Sequence, residues 1–344
     1  MYWEDKAMRL PEPVFYPPFL ITRASHVRLT VQDIARSRDF YCGVLGLIVS
    51  DQTSEACYLR AAEEACHHSL VLEKCQEGCD PECTAIGMRV LTEEELDKAR
   101  EWLLAKKLPA EWVELPFQGR TLRTRDVVGV PVEFCATMDV VERRFGDRRA
   151  PATYAKRLDH YQLFSPDNVT QTEFYMELGF RISDAMMAGE DLEGTFLWRK
   201  GNTHDLVLFT GTGPRLHHFA YVVSEPAQVL RACDMAGELG YGRTTERGPG
   251  RHPLDGALYI YFRDPDGHRV ELFDGHYQTI DAELEPSVVQ VKDSAQPWGL
   301  PGQASWFHEA TPFAGVQQAE PKIKRTAPTL EAYLERQAAE KGKA

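Results

Sequence analysis

Leu158-Asp159-His160-Tyr161-Gln162-Leu163-Phe164 leads through Glu173-Phe174-Tyr175 to Leu178-Gly179-Phe180, and an earlier stretch of the chain repeats its plan. There Ser25-His26-Val27-Arg28-Leu29-Thr30-Val31 leads through Asp39-Phe40-Tyr41 to Leu45-Gly46-Leu47, so in both copies a His stands fifteen residues before a Tyr. The likeness continues outward. His68-Ser69-Leu70-Val71-Leu72 matches His204-Asp205-Leu206-Val207-Leu208, and Ala85-Ile86-Gly87-Met88 matches His218-Phe219-Ala220-Tyr221. Asp126-Val127-Val128-Gly129-Val130-Pro131-Val132-Glu133-Phe134 lies opposite Asp264-Pro265-Asp266-Gly267-His268-Arg269-Val270-Glu271-Leu272. Self-similarity over this distance marks a duplicated module.

Within a copy the periodicities change in a fixed order. Alternation over 26–31 reads as a half-buried strand, 34–44 carries apolar residues at helical spacing, and 258–262 and 269–273 are short strands joined by the turn Asp264-Pro265-Asp266-Gly267. Segments 91–104 and 225–239 open on Thr or Ser, then an acid or proline, then helical spacing, which signals a helix start. Within each copy, strand, helix, strand, strand, strand, repeated, is the predicted order. The fold class is therefore α+β, with tandem βαβββ repeats whose curved mixed sheets enclose a site. Residues 1–150 are expected to form one domain and 151–280 a second. Residues 281–344, rich in Pro, Gln, Glu and Lys, form a tail or lid with an aromatic island at Trp298 and Ser305-Trp306-Phe307. Residues 330–341 are compatible with one amphipathic helix packed on the body.

Composition excludes several classes. Hydrophobic residues make up 43% and charged residues 26%, as in globular proteins, and no apolar run reaches the eighteen residues that a bilayer-spanning helix needs. The first twenty residues lack the basic start and apolar stretch of a secretion signal, so a cytoplasmic protein is expected. The net charge of −13 and scattered Lys and Arg argue against a nucleic-acid partner. Eight cysteines do not form a disulfide framework in a chain of 344 residues. Cys75, Cys79 and Cys83 stand near zinc spacing, with Cys66, His67 or His68 as a possible fourth ligand; reduced thiols on a loop are the alternative.

Oxygen chemistry at a Lewis acid calls for neutral imidazoles and one carboxylate on one face of the ion, leaving positions open for substrate and O2. His160, His218 and Glu271 meet that requirement in type, each on a predicted strand of the second repeat. The first repeat is an internal control: it keeps His26 and Glu133 but has Ala85 in place of His218, so its site is expected to be vestigial. His217 neighbours a ligand and, by strand alternation, is expected to point to the opposite face as packing.

Arg215-Leu216-His217-His218-Phe219-Ala220, Glu246-Arg247-Gly248-Pro249-Gly250-Arg251-His252 and Tyr259-Ile260-Tyr261-Phe262-Arg263-Asp264-Pro265-Asp266-Gly267-His268-Arg269-Val270-Glu271 resemble the type I extradiol ring-cleaving dioxygenases of the vicinal oxygen chelate superfamily. The likeness is greatest to the homoprotocatechuate (3,4-dihydroxyphenylacetate) 2,3-dioxygenase branch and runs from about residue 24 to 310. It implies a catechol chelated through both oxygens, O2 as second substrate, an Fe(II) cofactor with Mn(II) as alternative, a role in aromatic catabolism, and a homotetramer. It also implies roles for residues around the metal. His204 matches the family's histidine beside the metal and becomes the candidate acid–base, since imidazole titrates in the useful range. Its repeat partner His68 leaves a scaffold role as the alternative. Tyr261 offers a phenol to a substrate oxygen, and the resemblance places His252 and Arg247, which flank Gly248-Pro249-Gly250, at the pocket mouth, with Arg247 as the substrate-binding candidate for an anionic substituent and a solvent-facing loop arginine as the alternative.

The chain also departs from that branch. Gln162 stands for a family asparagine and Phe196 for a pocket tryptophan, with Trp198 shifted by two. Where the relatives carry an adjacent arginine pair for the substrate carboxylate, this chain reads Asp293-Ser294-Ala295-Gln296-Pro297. A buried carboxylate without cations is costly, so a catechol with a neutral or differently placed substituent is favoured, with homoprotocatechuate retained. Two other classes compete: a metal-dependent isomerase or epimerase of the same superfamily, whose ligands usually come from two modules, and a metal-free binding module.

Overall fold

A computed structural model describes residues 10–144, 155–281, 283–294, 296–323 and 327–341. The expected boundary at 150/151, and Ala295 within the segment that replaces the arginine pair, lie outside the described residues. Each half contains two successive βαβββ units, as the repeated order of elements within a copy predicts. The first half opens with β1 (Ile21–Val31), α1 (Ile34–Gly43), β2 (Ile48–Gln52), β3 (Ala56–Arg60) and β4 (Leu70–Lys74). It continues with β5 (Cys83–Val90), α2 (Glu93–Ala105), β6 (Glu111–Val113), β7 (Thr121–Arg125) and β8 (Pro131–Cys135). The second half repeats the plan with β9 (Arg157–Ser165), α3 (Asn168–Glu177), β10 (Arg181–Ala188), β11 (Asp191–Trp198) and β12 (Leu206–Thr210). Then come β13 (Arg215–Val222), α4 (Pro226–Glu238), β14 (Thr245–Arg251), β15 (Leu258–Arg263) and β16 (Arg269–Phe273).

The tail adds β17 (Ser287–Gln290), α5 (Ala304–His308), β18 (Thr311–Pro312) and α6 (Leu330–Lys341). It is part of the second sheet, because β17 pairs with β10 and β18 with β13.

Local chemistry explains the helix starts. Asp33 accepts from the Arg36 amide at 3.0 Å and Asp167 from that of Thr170 at 3.3 Å, satisfying donors that the helix leaves open. α2 has no such side-chain cap and instead sets the carboxylates of Glu93, Glu94 and Glu95 beside the positive helix end, and α4 begins on Pro226. Strand order in the first sheet is β2-β3-β4-β1-β5-β8-β7-β6, and in the second β14-β15-β16-β13-β9-β12-β11-β10-β17.

The duplicated Tyr and the duplicated turn hold the halves together by exchange. In each turn the Asp carboxylate accepts two backbone amides, Asp126 those of Val128 and Val130, and Asp264 those of Asp266 and His268. Its other oxygen takes the phenol of the opposite half, from Tyr175 to Asp126 at 3.1 Å and from Tyr41 to Asp264 at 2.9 Å. Tyr161 closes the joint by donating to the carbonyls of His26 and Gly87. All these groups are buried, so losing one phenol leaves a desolvated carboxylate short of a donor.

Candidate metal centre

Register across the second sheet places the site. His160 on β9 faces Ala220 on β13, Ala220 faces Glu271 on β16, and Glu271 faces Tyr261 on β15. Residues in one transverse row share a face, and a small residue in the middle lets the flanking side chains lean together. His218 enters two residues along β13, opposite Gln162.

The three candidate ligand atoms converge. His160 Nε2 and His218 Nε2 lie 3.2 and 3.1 Å from Glu271 Oε2, and 3.4 Å from each other. An octahedral ion with bonds of about 2.1 Å sets neighbouring donors about 3 Å apart, so the triangle fits one face of such an ion. The donor set suits iron or manganese, and the group meets the requirements of a metal-holding cluster. Asp159 Oδ2 pairs with His160 Nδ1 at 3.1 Å and so aims Nε2 at the site. His252 Nε2 reaches the second Glu271 oxygen and the Tyr261 hydroxyl, both at 3.0 Å.

Electrostatics follow from this crowding. Burial opposes a charged His160, but Asp159 and Glu271 outweigh it and raise its pKa to about 9. Burial dominates at His218 and lowers it to about 4 despite Glu271. Burial would raise Glu271, yet bonds from His160, His218 and His252 hold it well below the usual carboxylate range. Metal-free, the centre is thus a His160 imidazolium beside a Glu271 carboxylate. Binding a cation needs neutral His160, so metal uptake at pH 7.5 is expected to release about one proton, and affinity to fall about tenfold per pH unit below 9. Calorimetric titration in buffers of different ionisation enthalpy measures this; no proton release at pH 7.5 would contradict the His160 assignment.

His204 lines the same cavity, with Nδ1 2.6 Å from Thr203 Oγ1 and its ring 4.2 Å from that of His160. Burial, then the neighbouring His160 and His276, hold its pKa well below the ordinary value. Gln162, Phe196, Arg247, His252 and Tyr261 line the cavity too. Phe196 meets His204 edge-on at 5.2 Å.

Two sequence expectations are corrected. Trp198 does not line the cavity: it sits at the end of β11, where the Arg181 guanidinium covers its ring at 5.0 Å. His217 does not turn away from the site. A register shift between Leu216 and His218 breaks the alternation, so consecutive histidines reach the same cavity. His217 Nδ1 lies 2.7 Å from His218 Nδ1, while its Nε2 faces the Trp306 carbonyl at 2.8 Å. The cysteine cluster holds no metal-capable group among the described residues: Cys83 is buried in β5, whereas Cys79 is exposed.

Three features escaped the sequence reading. His276, five residues after Glu271, stacks on Phe273 at 4.3 Å and lies between Asp159 and Asp255, at 3.7 and 3.4 Å. Asp159, next to a ligand, was the one with a visible signal. The third is Trp306, from the tail's aromatic island, whose ring lies 4.2 Å from Tyr261 and 4.4 Å from His217. A partly buried clasp holds it there: Glu246 takes four guanidinium bonds from Arg269 and Arg263, and one from the Ser305 hydroxyl of α5.

The first half shows what the row becomes without the third ligand. His26 faces Gly87, Gly87 faces Glu133, and Glu133 faces Arg123. With Ala85 in place of His218, His26 Nε2 bonds Glu133 directly at 3.0 Å, and Arg123 caps the carboxylate at 2.5 Å. A Cβ at Gly87 would fall 2.1 Å from the His26 ring, so that half is packed shut.

A fold of paired βαβββ units with two imidazoles and a carboxylate on one sheet face defines a recognised class. The chain belongs to the glyoxalase/bleomycin resistance protein/dioxygenase superfamily, whose model matches residues 23–127 and 157–272, and within it to the extradiol dioxygenases. It resembles the homoprotocatechuate 2,3-dioxygenase of Brevibacterium fuscum in complex with 3,4-dihydroxyphenylacetate, with a TM-score of 0.82 and 35% identity, covering 88% of this chain and 96% of that one. A room-temperature structure of an extradiol ring-cleaving dioxygenase from B. fuscum gives a TM-score of 0.86 at 34% identity, covering 92% and 90%. A manganese-dependent 2,3-dihydroxybiphenyl 1,2-dioxygenase of Geobacillus genomosp. 3 is 29% identical over 290 residues, covering 77% of this chain and 89% of that protein. No helix among the described residues is long and apolar enough to cross a membrane.

Proposed function

We propose that this chain opens the ring of a substituted catechol with O2, cleaving beside the two hydroxylated carbons, at a single Fe(II) or Mn(II) held by His160, His218 and Glu271. The observation that carries the reading is the 3.1 to 3.4 Å triangle of ligand atoms, set in a cavity that His204, Tyr261 and His252 also face. When bound, the ion lowers the pKa of a coordinated hydroxyl and couples the electron-rich ring to O2.

The remaining work falls to the protein. Neutral His204 accepts the hydroxyl proton and returns it to the product, with Thr203 fixing its orientation. Tyr261, whose pKa burial and then Glu271 push well up, stays a phenol and donates to a substrate oxygen. His252 steadies the second oxygen of Glu271. Gln162, Phe196 and Arg247 shape the wall. The first half, through about residue 150, is a metal-free scaffold, consistent with its His26–Glu133–Arg123 set. All three ligands come from one half, which disfavours the isomerase and epimerase reading.

Cavity size and lining bear on the side group. About 1320 Å³ exceeds what catechol alone fills, and Phe164, Met186, Phe209 and Phe307 give the wall apolar surface. A neutral, bulky substituent is the better fit, in keeping with the dihydroxybiphenyl named for one relative. A cytoplasmic homotetramer completes the reading, on the resemblance. The test is reconstitution with Fe(II) or Mn(II) and an aerobic panel of substituted catechols. One O2 consumed per yellow ring-opened product is expected, with both oxygen atoms in that product. Failure to retain stoichiometric metal, with no product on any catechol, would overturn it.

A further inference from the structure

Arg247 is the one arginine among the described residues on the cavity wall, and its neighbours hold it in place. Its guanidinium lies 5.2 Å from the ring centre of Tyr259 and 4.6 Å from that of Trp306, and its Nη2 donates to Gln296 Oε1 at 3.1 Å. Gln296 is itself fixed from both ends. Its Oε1 also accepts from the Tyr259 hydroxyl at 2.8 Å, and its Nε2 donates to the Trp298 carbonyl at 2.6 Å. Two glycines make room for that amide, since a Cβ at Gly250 would lie 2.6 Å from Gln296 Nε2 and one at Gly299 2.7 Å away. Arg247 Nε is buried without a hydrogen-bond partner.

A guanidinium grips a carboxylate through two parallel N–H bonds, and the Nε/Nη2 edge is one such fork. Here Nη2 is engaged by Gln296, and the plane of the group is committed to two aromatic faces. Away from Glu271, the other charged groups on the wall among the described residues are Glu193, Asp255, Glu335 and Lys292, so carboxylates there outnumber the remaining cation. We propose that Gln296 sets the charge selectivity of the cavity: by clamping Arg247 between Tyr259 and Trp306 it keeps the guanidinium from anionic side groups, so that uncharged catechols are preferred. The proposal rests on the ring-cleavage reading and adds a specificity-determining residue to it.

The test compares 3,4-dihydroxyphenylacetate with its uncharged isostere 3,4-dihydroxyphenylacetamide, using anaerobic calorimetric Kd on metal-loaded protein and aerobic kcat and KM. The wild type is expected to favour the amide. Gln296→Leu releases Arg247 and should shift the Kd ratio toward the acid by about tenfold, carried in KM rather than kcat. Gln296→Glu, which neutralises Arg247 and keeps the shape, should shift it the other way and serves if the leucine variant does not fold. Adding Arg247→Leu to Gln296→Leu should erase the gain, assigning it to Arg247 and not Lys292. A ratio unmoved in both Gln296 variants, or a wild type that already prefers the acid, overturns the proposal. Absence of binding and ring fission with every catechol instead defeats the ring-cleavage reading beneath it.

Discussion

A His218→Ala variant is expected to leave a desalting column without bound metal, its affinity lowered about a hundred- to a thousandfold. The size follows from ligand count. Structural four-ligand sites supply about 10 to 16 kcal/mol, so one imidazole accounts for roughly 2.5 to 4 kcal/mol, about two to three factors of ten. The fold should survive, and the reason is written in the other half of the molecule. The substitution reproduces what Ala85 does in the first half, where His26 and Glu133 close on each other at 3.0 Å and the sheet stays packed. In the variant, His160 and His252 still hold Glu271, so the carboxylate is not stranded. Metal analysis after desalting, with thermal unfolding of the metal-free forms, separates the two effects. A variant that keeps stoichiometric metal would remove His218 from the ligand set; one that cannot fold would break the analogy between the halves.

That analogy was legible because duplication writes the same row twice. His160 and Glu271 could be found by laying one copy on the other, and Ala85 marked which copy lacked a ligand. Features that arise from breaks in regular structure were not legible. Alternation sends His217 away from the site, and only the shift in register at Leu216/His218 brings it back. The same limit applies to contacts made by distant chain. Trp306 reads as part of a polar tail until the Glu246–Arg269 clasp is seen to fasten α5 over Tyr261. Gln296 reads as the loss of an arginine, and its hold on Arg247 depends on Gly250 and Gly299 approaching through space. Sequence identified the chemistry because that chemistry needs particular residue types. The pocket wall depends on how loops pack, and no single residue type signals it.

Replacing His204 with asparagine is expected to leave metal content unchanged while lowering kcat by about 10²- to 10⁴-fold, the span attributed to a positioned acid–base group. Its place in the molecule separates a catalytic part from a scaffold part, because His68 holds the equivalent position in the half without a metal. There Nε2 faces Gln118 Oε1 at 3.1 Å and Nδ1 faces His67, so both nitrogens of His68 are engaged by neighbours. His204 differs: Nδ1 is held by Thr203, and the ring lines the cavity within 4.2 Å of the His160 ring. Burial keeps its pKa well below the ordinary histidine value, so the ring is neutral at physiological pH and ready to receive a proton. Asparagine keeps a polar group of similar reach but cannot accept and return that proton, so the loss should fall on kcat with KM little changed. A scaffold role predicts a different pattern, with lowered thermal stability and parallel changes in KM. Undiminished turnover in His204→Asn would remove the residue from the reaction and leave Tyr261 and His252 as the groups facing the substrate oxygens.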